Sequence, residues 1–418
     1  MDDQRLMYTA LLGLPKPWEV QKVEFKVISL PLDGEVHVWV GLPEGTLWVC
    51  PVCQAGAPIH DHKERTWRHL DTCQFRTLIH ARIPRLKCPN CGIKQLDIPW
   101  AEKGARFTAL FEVFAIEWLK LATVKAVAQQ LGLTWDEVDG IQQRAVARGK
   151  ARRELTVPRY AGADETSFQK RHEYVTVVSD LEKQEVLYVA DGRSAKALDG
   201  FWSQYTADQL KQIVAVAMDM CEPFLKSIKN NLPDWESKVV FDKFHIAQLV
   251  GRAMDKVRRQ EYLELEAEGN KVLKKTKYLW LENPTTRTKG ETREFNLLRD
   301  RVNRSSRAWA LKETLMGLFD MTYLGAVDRN FQVWFRWAKR SKLKPMMQVA
   351  DTLKTYWANI RTYFIHHITN AGSESMNAKI QAVKRRACGF RSRERFRTAI
   401  FFHCGGLNLY PTKFKLAA

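Results

Sequence analysis

Two matched cysteine pairs constrain this chain more than any other feature. Cys50-Pro-Val-Cys53 and Cys88-Pro-Asn-Cys91-Gly92 each set two thiolates on one side of a tight turn. Four sulfurs gathered in this way make the tetrahedral cage that zinc prefers, and a site with all four positions filled by protein is structural rather than catalytic. Such binding supplies on the order of 10–16 kcal/mol to a small domain with little core of its own. The stretch between the knuckles, RTWRHLDTCQFRTLIHARIPRLK, has the pattern of a hairpin. His60, His62, His69 and His80 also lie there, but the cysteines already complete the set, and Cys73 is assigned to the core. Ahead of the knuckles, VEFKVISLPLDGEVHVWVGL alternates as a β-hairpin, with turn chemistry at Leu32-Asp33-Gly34.

A chain of 418 residues exceeds one ordinary core, so about two to four domains are expected. Its formal charge of +19 favours nucleic acid as the partner. No apolar run approaches the ~18 residues of a membrane span, and neither end carries a basic amphipathic anchor. The opening MDDQRLMYTALLGLPKPW lacks the basic region of a signal peptide. The cysteines outside the pairs are scattered, which is not a secreted disulfide framework. These features point to a cytoplasmic, nucleoid-associated protein with no membrane partner.

The segment ATVKAVAQQLGLTWDEVDGIQQRAVARG has helix-turn-helix grammar. Val124, Val127, Ala128 and Leu131 make one apolar face, Gly132 allows the turn, and Thr134 with Glu137 forms a capping box for a second helix. Val138, Ile141 and Ala145 are expected to pack inward, leaving Gln142, Gln143 and Arg144 for a DNA groove. Arg148, Lys150, Arg152 and Arg153 add cations for phosphates.

Beyond Pro158 the elements read β-β-β-α-β-α-β, a mixed α/β sheet: a short strand over about 159–164, EYVTVVSD and EVLYVADG joined by a turn near Leu181–Gln184, the helical SAKALDGFWSQYT, the buried QIVAVAMDM, the helical PFLKSIKNN and the short KVVFDKF. Gly162 and its neighbouring alanines leave room around Asp164. Asp219 ends the most apolar strand, where an α/β sheet places working groups, and Asp242 ends the next. From about 245 to 365 the pattern is helical, with a loop over 283–294 and tryptophans at 280, 309, 334, 337 and 357 that read mainly as core. Glu374 and Asn377 then share one face of a basic helix, followed by Lys379, Lys384, Arg385, Arg386, Arg391 and Arg393, a one-sided load suited to phosphate.

The ordered acids, the paired cysteines ahead of a helix-turn-helix, PheAspLysPheHis, SerGluSerMetAsn and the tail LysArgArgAlaCysGlyPheArg together resemble the bacterial insertion-sequence transposases of the L-three family. The resemblance covers nearly the whole chain; Ser375 and Met376 depart from the small residues usual around the last acid. It implies a ribonuclease-H-like core with Asp164, Asp219 and Glu374 as the catalytic acids holding Mg²⁺ or Mn²⁺. Asp164 would bridge two ions, Asp219 hold one and Glu374 the other. Asp242 and His245 fit the accessory AspXXHis motif, with Asn377 as a further accessory residue, and Arg193 is placed near a phosphate or on the surface.

The fold expected is thus α/β and multidomain: an N-terminal β segment and zinc ribbon (1–100), a helix-turn-helix domain (101–156), the first part of the core (157–249), a helical insertion (250–365), and the helix of the third acid with a basic tail (366–418). The function implied is a DNA transposase acting on terminal inverted repeats and target DNA, as a homodimer or larger on DNA. The rival readings are a zinc-ribbon DNA-binding regulator without catalysis and a structure-specific nuclease without strand transfer.

Overall fold

The structure is a computed structural model that describes residues 3–29, 33–169 and 173–412. It forms two compact units, Met1–Glu154 with Arg386–Cys388 and Thr398–Ala418, and Leu155–Arg385 with Gly389–Arg397. The C-terminal stretch expected as one piece is therefore divided between them.

In the first unit, five strands form one sheet: β1 (Glu19–Ser29), β2 (Asp33–Gly41), β3 (Ile59–Thr72), β4 (Phe75–Cys88) and β5 (Gly92–Gln95). The order is β1-β2-β4-β3, with β5 also on β4. The hairpin expected between the knuckles is the antiparallel β3/β4 pair. The first hairpin is also present, but its turn at Leu32 lies outside the described residues. Alternation drives one sheet face inward, where Val38, Trp67, Ile79 and Ile83 are fully buried, and Trp100 meets both Trp18 and Trp67 edge-on. Two expectations need correction. The opening residues form a helix, Asp3–Leu12, anchored by buried Tyr8. Cys73 is exposed, because it sits at the hairpin tip with φ 57° rather than in the core.

Three helices follow, Ala109–Leu121, Val124–Leu131 and Trp135–Arg152. Thr108, Thr123 and Thr134 cap them, and Thr134 with Glu137 closes the expected capping box. Gly132, at φ 61°, makes the left-handed turn between the second and third.

The second unit carries the other sheet: β6 (Tyr160–Gln169), β7 (Glu173–Asp180), β8 (Glu185–Asp191), β9 (Ala215–Met218) and β10 (Val239–Phe241). Its order is β10-β9-β6-β7-β8, with β6, β7 and β8 antiparallel and β9 and β10 running parallel to β6. The helices Ala195–Trp202 and Glu222–Asn231 fall where β-β-β-α-β-α-β requires. Strand β6 does not stop at Asp164. It continues to Gln169 because β7 pairs with it along that length.

A helical layer then runs from Lys243 to His366, beginning with the long helix Lys243–Ala267. The expected loop at 283–294 is half helix: Thr288 and Glu291 form a capping box that starts Lys289–Arg299. Most of the tryptophans here are core. Trp280 and Trp334 are fully buried, Trp309 packs on Phe295, and Trp357 stacks on Phe331 at 3.5 Å; Trp337 alone of the five is exposed.

Candidate active site and metal centre

Strand register sets the carboxylates in a row. Ala163 of β6 is level with Met218 of β9, which is level with Phe241 of β10. The next residues are Asp164, Asp219 and Asp242, so three acids stand side by side on adjacent parallel strands, with ~4.8 Å between neighbouring strands. His245 lies in the first turn of Lys243–Ala267, and its Nε2 is 2.8 Å from Asp219 Oδ1. Ligand atoms of Asp219, Asp242 and His245 all lie within 4.8 Å of one another.

Asn370, fully buried, donates to Asp219 Oδ1 at 3.2 Å. Asn377 Nδ2 donates to Asp164 Oδ2 at 2.6 Å, and the Glu165 amide donates to Asp164 Oδ1 at 2.7 Å. Asp242 is 1% exposed, and neither carboxylate oxygen makes a well-formed hydrogen bond among the described residues.

This crowding has an electrostatic cost. Burial, and then the charge of Asp219, push the Asp164 carboxyl up to about 7. Burial also raises Asp242, with the nearby amides of Phe244 and Asn370 offsetting part of the effect. His245 is raised, chiefly by its bond to Asp219. Two buried carboxyls raised in this way beside Asp219 fit a site built to share a divalent cation.

Glu374 stands apart from this cluster. It is exposed in the first turn of the helix Ala371–Arg386, three residues before Asn377, and lines a broad groove. Glu165 points away from the row, as strand alternation requires, and meets Arg193 at 3.4 Å.

The helix Ala371–Arg386 is laid along β6. Asn377 bonds Asp164, Gln381 bonds Thr166 Oγ1 at 2.6 Å, and Lys384 bonds the Ser167 carbonyl at 2.7 Å. The match is geometric: four helical residues rise about 6 Å, close to the rise of two strand residues. Gly162 makes the approach possible, since a Cβ there would lie 2.1 Å from Ser373 Oγ. Its room is thus for this helix rather than for the carboxylate. Asn370 and Gln381 were not singled out from sequence; the four-residue spacing from Ser373 through Asn377 to Gln381 is the signal that finds the last of these.

The cysteine quartet is assembled as expected in the first unit. Cys50, Cys53, Cys88 and Cys91 place their sulfurs within 4.8 Å of one another. The Cys50 amide donates to the Ala55 carbonyl at 2.8 Å and the Gln54 amide to the Cys50 carbonyl at 2.9 Å, which folds the first knuckle; Gly92, at φ 72°, turns the second. Amides of Cys53 and Val52 draw the Cys50 thiol down to about 7, while Cys91 is pushed up to about 12, first by its contact with Cys53. Four sulfurs this close cannot all ionise without a cation among them, which is the donor set of structural zinc. None of the four histidines joins the set: His69, for example, is buried and bonded to Thr108.

The groove-facing residues expected on Trp135–Arg152 need correction. Gln142 and Arg148 are buried. Arg144 reaches Glu112 at 2.6 Å; Arg148 reaches Glu112 at 2.8 Å and Glu102 at 3.1 Å, and donates to the Leu409 carbonyl. Arg152 donates to the Tyr410 carbonyl at 2.5 Å. The cause is Glu112, 1% exposed on the buried face of the helix Ala109–Leu121, whose charge must be paired. Glu112, flanked by Phe111, Val113 and Phe114 in ALFEVF, was the available signal. Gln143 and Lys150 remain exposed, Gln143 bonded to Asp139 and Lys150 lying 3.5 Å over the Phe401 ring. In the basic tail, Arg393 pairs with Glu173 and Arg386 donates to the Leu121 carbonyl, whereas Lys379, Arg385 and Arg391 are exposed without ion pairs among the described residues.

Comparison with known proteins gives three matches along the chain. Residues 161–400 match a family model described as transposase, of the ISL3 group. Residues 46–91 match the zinc-finger of transposase IS204/IS1001/IS1096/IS1165, and 96–146 the helix-turn-helix domain of transposase family ISL3. The chain belongs to the ISL3 transposase family. It is 27% identical over 420 residues to the transposase for insertion sequence element IS1557 of Mycobacterium tuberculosis, covering 92% of each chain. It is 25% identical over 402 residues to the transposase for insertion sequence element IS1001 of Bordetella parapertussis, covering 95% of this chain and 97% of that one. Among the described residues no helix is long and apolar enough to cross a membrane.

Proposed function

We propose that this transposase binds the terminal inverted repeats of its element, cuts the DNA strand at each end and joins the freed ends to target DNA. The observation that carries the reading is the row of Asp164, Asp219 and Asp242 level with one another on adjacent strands, with Asp164 raised to about 7. Carboxylate oxygens are hard donors suited to Mg²⁺ or Mn²⁺. Bound in pairs, such ions activate an attacking oxygen and stabilise a leaving one.

Asp164, Asp219 and Glu374 are the residues assigned to hold the ions. Asn377 orients the Asp164 carboxylate, and Asn370 and His245 hold one oxygen of Asp219 so that the other is free. Asp242 serves beside them as a buried accessory carboxyl. The helix-turn-helix, through exposed Gln143 and Lys150, and the exposed cations Lys379, Arg385 and Arg391 are assigned to duplex DNA. Two ends must be held at once, so the working form is a dimer or larger.

The test is cleavage of a labelled end-containing duplex with Mg²⁺, using Asp164→Ala, Asp219→Ala and Glu374→Ala. Loss of nicking in all three supports the reading; wild-type nicking by any one removes that residue from the site. Adding a target plasmid separates strand transfer, which yields joined product, from simple nuclease action. Binding without cleavage by the wild-type chain would favour the regulator.

A further inference from the structure

A groove of about 1350 Å³ opens in the second unit, with Glu374 in its lining. One wall is the helix Lys243–Ala267, which starts directly after Asp242. Phe244, Gln248, Arg252 and Lys256 recur on it at every fourth residue, all exposed and all lining the groove. That spacing keeps them on one face, and twelve residues of helix carry the face about 18 Å away from the carboxylates.

The groove combines charge with apolar surface. Its acid Asp255 is already paired with Arg258 and Arg259 at 2.8 and 2.9 Å, and Glu313 with Lys312 at 2.6 Å. Lys243, Arg252, Lys256 and Lys277 have no ion pair among the described residues, and they face only Asp320 and Glu374 as unpaired acids. Between these charges lie Leu281, Met316 and Phe319, with Phe244 half exposed at the end nearest the site. A duplex hides its base faces and offers phosphates and groove-lying base edges. An unpaired strand offers both phosphates and base faces, and a row of cations with an open aromatic at its end is a surface that binds it.

We propose that this groove binds an unpaired DNA strand beside the cutting site, with phosphates on Arg252 and Lys256 and a base stacked on Phe244. The proposal rests on the strand-cutting reading above, since it is the opened end that supplies such a strand. It assigns the helical insertion a binding role separate from end recognition.

The test uses the full-length, zinc-loaded chain without divalent ions in the catalytic site. Anisotropy of a labelled oligothymidylate of about 12 nucleotides is measured beside that of an end-containing duplex. Arg252→Glu with Lys256→Glu should weaken oligothymidylate binding about tenfold or more and flatten its salt dependence by about 0.7 per lost phosphate contact. Phe244→Ala should weaken it about fivefold with the salt dependence unchanged. Duplex binding should stay within about twofold in both variants. Thermal unfolding confirms that these surface changes leave the fold intact, and Arg252→Gln replaces the double variant if it does not.

Wild-type oligothymidylate affinity in both variants overturns the proposal. So does an equal loss on oligothymidylate and duplex, which would make the groove a duplex surface. Because no cutting is needed, a wild-type chain that binds the strand but never nicks an end defeats the functional reading and leaves the groove assignment standing.

Discussion

Asn377 Nδ2 lies 2.6 Å from Asp164 Oδ2, joining two residues 213 apart in the chain. One amide thus ties the helix that bears Glu374 to the strand that bears the first acid. Asn377→Ala should leave the chain folded and cut activity at sub-saturating Mg²⁺ by about 10–100-fold. A Mg²⁺ titration checks this: a positioning role predicts recovery at high Mg²⁺, and a loss equal at all concentrations would refute it.

Gly162 should tolerate no side chain. In Gly162→Ala the new Cβ meets Ser373 Oγ at 2.1 Å and Leu181 Cδ2 at 2.7 Å. A destabilisation of about 1–3 kcal/mol is expected, measurable by denaturant unfolding. Adding Ser373→Ala should recover part of it, because the closest clashing atom is gone.

The stability of the zinc-loaded chain without Mg²⁺ or Mn²⁺ should fall as pH rises from about 4 to about 7. Asp164 is raised from an ordinary 3.8 to about 7, so across that window the folded state holds a proton that the unfolded chain has released. Stability from this group is complete below the unfolded value and lost as pH passes the folded one. The raised His245 acts in the same direction above its ordinary 6.5. Asp164→Asn should therefore melt higher than wild type at pH 8 in the zinc-loaded chain with no Mg²⁺ or Mn²⁺ added, with the gap closing toward pH 4. An unchanged gap across that range would count against the crowded-carboxylate account.

Zinc removal should unfold the ribbon. Cys88→Ser, or a strong chelator, should remove the β3/β4 end of the first sheet and abolish end binding, since the sulfur site is folding energy for a segment with a small local core. Amide exchange over 46–95 would show it. Retained protection there without zinc would refute the assignment.

Arg148→Ala should act on stability and not on DNA affinity. It strips Glu112 of one of its two cations in a buried setting, a change that costs about 3–5 kcal/mol when a buried pair is broken. A loss of DNA salt dependence at unchanged melting temperature would restore the groove-facing reading.

Much of this protein is written locally. The CxxC pairs, the threonine caps, the glycine turn at 132 and the β-β-β-α-β-α-β order are each set by a few adjacent residues, so their physics is visible without the fold. Strand ends marked Asp219 and Asp242 in the same way, whereas Asp164 lies within a strand that runs on to Gln169. What the chain alone could not show depends on partners far away in sequence. Register between β6, β9 and β10 turned three separate acids into one row, and helix placement along β6 brought Asn370 and Asn377 to them while leaving Glu374 exposed on the groove. Buried Glu112 drew the arginines of the third helix inward, although helical spacing alone had set Arg144 outward. Local pattern specifies which residues are able to work, and long-range packing decides which of them meet, because pairing, burial and desolvation are properties of neighbours that only the folded chain supplies.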